Sequence, residues 1–210
     1  MGRYTGPSCR LCRREGVKLM LKGTRCETAK CPMERQWRNF PPGQHSWRRG
    51  RGSEYRQRLR EKQKVKRYYG VYETQFMKYF HQAERQKGNT GAALLSLLER
   101  RLDNVVHKLG LAPSRASARQ TVSHGHVYVN GRRVGVPSYL LRAGDKLSLK
   151  DAERSKKLIR SRLEEFGEPH VQNWLKFDMT RLEAEVLALP TREDVMIPVE
   201  ENLIVELCSQ

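Results

Sequence analysis

An excess of 18 positive charges over 210 residues limits this chain before any motif is read. Self-repulsion at that density opposes a compact state unless a polyanion neutralises it, and nucleic acid is the commonest such partner. The charge is also unevenly placed. Residues 1–67 carry a net +15, residues 68–177 a net +9, and residues 178–210 a net −6. A polyanion is therefore expected to meet the N-terminal third most closely, and the acidic tail to pack on protein. No run of ~18 apolar residues is present, so no segment spans a bilayer. Met1 leads into Gly2-Arg3-Tyr4 without an apolar stretch, which predicts no signal peptide and a cytoplasmic location.

The N-terminal third contains the most irregular sequence. Phe40-Pro41-Pro42-Gly43 and Arg48-Arg49-Gly50-Arg51-Gly52 break helices and suit an extended arm lying on phosphates. Ser53 can cap a basic helix running to about Tyr69, with Gly70 as its stop. Its few apolar residues, Leu59 and Val65, predict a helix resting on RNA rather than in a core. A second helix over roughly 73–87 places Phe76, Tyr79, Phe80 and Ala83 at helical spacing, as core packing requires. Trp37, Trp47, Tyr55, Tyr68 and Tyr69 lie among arginines. They suit either base stacking or a small core, with core favoured for Trp37.

Cys9, Cys12, Cys26 and Cys31 form C-x2-C-x13-C-x4-C. Two pairs, each closed by a tight loop, suit one tetrahedral structural zinc with no open position for catalysis. Arg10, Arg13, Arg14 and Lys22 surround them, and cationic neighbours favour the thiolate. Disulfides and an iron–sulfur cluster are the alternatives, the former disfavoured in the cytosol.

From Thr90 the patterning sharpens. Leu94, Leu95, Leu98, Leu102, Val105, Val106 and Leu109 predict one long helix ended by Gly110. Ser114 caps a short helix, Arg115 to Ser123, ended by Gly125. His126-Val127-Tyr128-Val129 alternates, and Asn130-Gly131 turns into Arg132-Arg133-Val134 as a hairpin. Lys146-Leu147-Ser148-Leu149 supplies a third strand. A helix at about 152–166 presents Leu158 and Leu163 inward, and Met196 to Leu207 reads as an edge strand and turn. Ser114, Arg115, Arg119, Gln120, His124, His126, Asn130, Arg132 and Arg133 gather on these short elements. Cations supply affinity there, and Gln, His and Asn add hydrogen bonds to riboses and base edges. A solvated basic face is the bland alternative, and each histidine is expected to pack or hydrogen-bond rather than act as a base.

Several of these residues carry a resemblance. Leu98 through Val106, Ser114-Arg115, Ala118-Arg119-Gln120, His124-Gly125-His126, Val129-Asn130-Gly131, Pro137-Ser138-Tyr139 and Gly144-Asp145 resemble the S-four RNA-binding domain. That domain occurs in proteins of several functions. More specific are Gly2-Arg3-Tyr4, the four cysteines, Pro41-Pro42-Gly43-Gln44-His45, Leu59 through Lys64, Pro190 through Asp194, and Pro198-Val199. Together they resemble the bacterial family of small-subunit ribosomal protein four.

The resemblance implies an α+β fold. A zinc knuckle and basic arm occupy 1–45, and a helical first domain 46–90 and 190–210. An inserted RNA-binding domain occupies 91–189, with its core module at 98–162 and two helices on a small antiparallel sheet. It implies a structural, non-enzymatic ribosomal role. The chain would bind the 5′ domain of 16S rRNA and nucleate assembly of the subunit body. With ribosomal protein five it would influence translational accuracy, near where mRNA enters. Arg3, Arg10, Arg13, Arg14, Lys22, Arg35, Gln44, Arg48, Arg49, Arg51, Arg56 and Lys62 join the module's residues as candidate RNA contacts. All four cysteines are present, so the zinc of this family carries over residue by residue. Tyr72 stands where relatives place a capping side chain, and 167–189 matches poorly. An RNA-modifying enzyme is disfavoured, because no G-x-G-x-x-G, P-loop or triad spacing appears. A zinc-knuckle DNA regulator is disfavoured because the knuckle leads into a broken arm rather than a groove-reading helix.

Overall fold

The computed structural model describes residues 2, 4–45, 52–166 and 171–209. Arg3, Trp47, Arg48, Arg49 and Arg51, all named above, lie outside the described residues. The chain forms two compact units: Met1–Leu94 with Met196–Gln210, and Leu95–Val195. Residues 190–195, placed with the tail by sequence, thus belong to the second unit.

The first unit is helical: α1 (Ser8–Glu15), α2 (Glu54–Tyr69), α3 (Glu73–Glu84), the start of α4 (Thr90–Glu99) and α8 (Glu201–Cys208). Ser53 caps α2 by accepting from the Arg56 amide at 3.2 Å, and Gly70 ends it in the left-handed region at φ 64°. α3 starts at Tyr72 with no side-chain cap, as its sequence predicts. Phe76, Tyr79, Phe80 and Ala83 are buried.

Two expectations fail here. The tail is a helix, not an edge strand. Ile204 is fully buried with Leu203 and Leu207 partly so, which is helical spacing. The β-branched Ile204-Val205 pair imitates a strand only locally. Second, α2 buries Lys64, Val65, Tyr68 and Tyr69, so one of its faces is core. The acidic tail supplies part of that cover. Arg58 Nε donates to Glu206 at 2.8 Å, Lys64 Nζ to the Pro198 carbonyl at 3.2 Å, and the Glu200 amide to Glu61 at 3.2 Å. On α2 also rests the carboxylate of Glu15, wholly buried and paired with Arg67 and, at 3.2 Å, with Arg60. Burial pushes its pKa up, against the pull of both guanidiniums.

The second unit holds the end of α4, then α5 (Leu102–Lys108), α6 (Arg115–Ser123), β1 (Val127–Val129), β2 (Arg132–Arg133), β3 (Lys146–Leu149), α7 (Glu153–Phe166), β4 (Leu175–Asp178) and β5 (Glu183–Val186). All strand pairs are antiparallel, in the order β2-β1-β3-β5-β4. The sheet is larger than the three strands expected, because 171–189 supplies β4 and β5. Leu102, Val105 and Val106 of α5 and Leu109 just after it pack with Ala118 and Val122 of α6, Val127 and Val129 of β1, and Trp174 and Val186. α7 buries Ile159 and Leu163, four residues apart, while Leu158 faces outward.

The expected long helix from Thr90 to Leu109 is broken at Arg100–Arg101. Arg101 is extended and bridges Leu140, and the Leu102 amide donates to the Tyr139 carbonyl at 2.9 Å. The break lets the Arg101 guanidinium reach Asp103 with two hydrogen bonds, at 3.1 and 2.7 Å.

Candidate nucleic-acid interface and cysteine cluster

Cys9 and Cys12 stand on α1, three residues apart on one helical face rather than in a tight loop. Gly16, left-handed at φ 70°, stops the helix. A 3-10 turn over Gly23–Cys26 brings up Cys26, and the Cys31 amide closes a turn onto the Thr28 carbonyl at 2.9 Å. All four cysteine side chains line one small cavity with Leu21, Pro32 and Met33. No disulfide joins them. Among the described residues, no three His, Cys, Asp or Glu side chains are already drawn into a metal-gripping group.

The thiols of Cys12 and Cys26 are pushed up, not down. Burial is the largest cause, and the neighbouring cysteines add to it. The Lys22 amide opposes this at Cys26, 3.3 Å from its Sγ. Burial outweighs the lowering expected from the arginines, two of which are engaged elsewhere. Arg13 donates to the Phe40 carbonyl at 3.4 Å and Arg14 to the Pro42 carbonyl at 2.8 Å, tying the Pro-Pro-Gly segment to α1. Arg35 donates to the Ala29 carbonyl at 3.1 Å. Arg10, Lys22, Gln44 and Arg56 are exposed. Lys62 is paired with Glu73 at 2.5 Å and largely covered, so it is engaged within the protein.

In the second unit, the Ser114 hydroxyl caps α6 by accepting from the Ser117 amide at 3.3 Å. Arg115 and Arg119 share a face of α6 as expected, but each has an internal partner. Arg115 Nε donates to Asn104 at 2.8 Å, and Arg119 lies 3.4 Å from Asp103. Reversing either charge therefore disturbs α5 as well as any RNA contact. Asn130 is likewise structural. It takes the left-handed region at φ 49°, donates to Asp145 at 2.8 Å and accepts from the Lys146 amide at 2.9 Å, closing the hairpin onto β3.

The outward group is smaller than predicted and gains one member. Gln120, His124, Arg132 and Arg133 are exposed. The Arg133 guanidinium lies across Gly125, where a Cβ would come within 2.1 Å of its Nε. His126 hydrogen-bonds Ser155 Oγ at 2.9 Å. Its pKa is pushed down, chiefly by burial, then by His124, Lys150, Arg162 and Arg133 around it. Lys150, which is exposed, thus joins the same basic face, whereas the half-buried Arg162 is turned inward and donates to the Leu111 carbonyl at 3.2 Å and to Thr121 Oγ1 at 3.1 Å. No spacing in the sequence links Lys150 to the hairpin; the pairing of β3 with β1 brings it there.

At the end of α5, His107 is half-buried with Nδ1 3.1 Å from the Ala112 carbonyl. Burial, then the nearby Arg115, pushes its pKa from 6.5 down to about 4. A histidine kept neutral in the fold contributes stability that is full above its unfolded pKa and lost as pH falls through the folded one. Acid titration from pH 6.5 to 4 is expected to remove about 3 kcal/mol through this group. His107→Gln should flatten that part of a denaturation series; an unchanged acid limb would assign it to other groups.

Among the described residues no helix is long and apolar enough to cross a membrane. The family described as "Ribosomal protein S4/S9 N-terminal domain" matches residues 3–99, and the one described as "S4 domain" matches 100–147. The chain is 54% identical over 210 residues to "Small ribosomal subunit protein uS4" of Halothermothrix orenii, covering all of both chains. It is 54% identical over 210 residues to the protein of the same name from Caldicellulosiruptor bescii, and 53% over 211 to that of Thermus thermophilus, again at full coverage of each.

Proposed function

Given that the chain belongs to the family of small ribosomal subunit protein uS4, we propose that it is a primary binder of the 5′ domain of 16S rRNA that nucleates assembly of the subunit body. Its role is structural rather than catalytic, and its place is the small subunit of the ribosome. The observation that most supports RNA contact is the basic face of the second unit. Arg133 lies over Gly125, and Arg132 and Lys150 are exposed beside it. Backbone phosphates take the cations of such a face, and Gln120 and His124 beside them suit ribose and base edges. Contact with ribosomal protein five, its effect on accuracy, and nearness to incoming mRNA rest on the family resemblance. The test is binding of the purified protein to the isolated 5′ domain with excess duplex DNA and tRNA present. Binding that survives both competitors supports the assignment. Binding erased equally by either reduces it to non-specific charge.

Zinc belongs to the same reading. Cys9, Cys12, Cys26 and Cys31 line one cavity, three of them buried, and the Lys22 amide already faces a sulfur as it would a thiolate ligand. The donor set suits zinc and leaves no ligand position for water. The ion would serve as a cross-link between α1 and the turns that follow. Thiols held protonated by burial release protons when the metal binds. Protein purified without chelator is expected to contain one zinc per chain. Well under one, or iron in its place, would overturn this.

A further inference from the structure

We propose that Trp37 is a stacking platform for one unpaired nucleobase of the bound RNA. The inference rests on the RNA-binding reading above and adds a site to it.

The indole was expected in a core, yet it is 64% exposed. Exposure on this scale is uncommon for tryptophan, which normally buries most of its area. The side chain is nevertheless held in place. The Arg38 and Asn39 amides both donate to the Arg35 carbonyl, at 2.9 and 3.0 Å, fixing the turn that carries it. The Arg38 guanidinium stacks on the ring at 4.6 Å from its centroid, and Arg35 stands at 5.8 Å. Arg35 is itself anchored on the Ala29 carbonyl. At 64% exposure of the residue, surface not taken by the two guanidiniums is left for another planar group.

The surroundings select the occupant. Arg25, Lys30 and Arg38 are exposed on the same segment. Cations beside an exposed aromatic suit a base attached to phosphate, because the ring takes the base and the guanidiniums the backbone. Stacking reads any base through its π-face, so the site demands an unpaired nucleotide rather than a particular sequence. Phe40, 43% exposed three residues on, presents a second apolar surface on the same segment.

The test compares wild type, Trp37→Ala and Trp37→Phe for binding to the isolated 5′ domain of 16S rRNA over a range of salt. Base-directed chemical probing of the bound RNA accompanies it. Trp37→Ala is expected to weaken binding roughly 5- to 150-fold at every salt concentration, leaving the salt slope unchanged, since stacking releases no counterions. One unpaired nucleotide protected by wild type should become reactive, and Trp37→Phe should restore most of both effects. Wild-type affinity and protection in Trp37→Ala would overturn the proposal. So would a loss accompanied by a lower salt slope and no newly reactive base, which would assign the defect to displaced arginines. Failure of wild type itself to bind would instead sink the RNA-binding reading and this site with it.

Discussion

Asp103→Ala is expected to destabilise the RNA-free chain by roughly 3–5 kcal/mol, the usual effect of removing one partner of a buried ion pair. Arg101 has no exposed surface, and Asp103 is nearly as deep. The carboxylate accepts two hydrogen bonds from Arg101 and lies 3.4 Å from Arg119. Without it, two guanidiniums face each other across a site too dry to solvate the buried one. A second buried pair, Glu99 at the end of α4 with Lys108 at the end of α5, 2.8 Å apart, spans the same break and leaves little room for rearrangement. Replacing Arg101 as well, by Met, should recover part of the loss, because the buried charge is removed along with its carboxylate. Urea denaturation followed by circular dichroism measures both. A single-variant loss below about 1 kcal/mol would mean that Arg101 escapes to water.

The second large effect is on RNA affinity. Neutralising roughly 6–10 phosphates should cost about 10³- to 10⁵-fold in affinity between about 50 and 200 mM salt. The gross count of 41 lysines and arginines overstates how many side chains are turned toward a phosphate. Arg58, Arg60, Lys62, Lys64, Lys66 and Arg67 of α2 are all paired with carboxylates, as are Arg101, Lys108 and Arg119. The slope should therefore report the outward cations, Arg132, Arg133 and Lys150 among them. A flat salt response would make the surplus charge a matter of solubility alone.

What was legible in the sequence was local. Ser53, Gly70, Ser114 and Asn130-Gly131 act at helix ends and a turn, where one residue satisfies or bends the backbone beside it. The structure bears each of them out. What was not legible depends on partners distant in the chain. The apolar stripe from Leu94 to Leu109 runs through Arg101 without a visible flaw, because only the buried Asp103 makes an arginine acceptable there. The cations of α2 read as RNA-facing because Glu15, Glu73 and Glu206, from three other places, were not known to meet them. β4 and β5 do alternate, in Leu175-Lys176-Phe177-Asp178 and Glu183-Ala184-Glu185-Val186, but at four residues each the signal is short. Trp37 misled in the opposite direction, since hydrophobicity alone cannot distinguish a core ring from one held out on a turn.

The return of α8 onto α2 has a bearing on the order in which the chain is made. The Leu95–Val195 unit is a contiguous stretch and can close as soon as it has emerged. The unit before it cannot, because the segment that donates Glu206 and the Pro198 carbonyl is synthesised after everything between. For the time needed to add more than a hundred residues, Arg58 and Lys64 wait beside Val65 without those partners. The first part of the polypeptide to be made is thus the last to mature, and a chain broken off early keeps a highly cationic surface whose fold is unfinished.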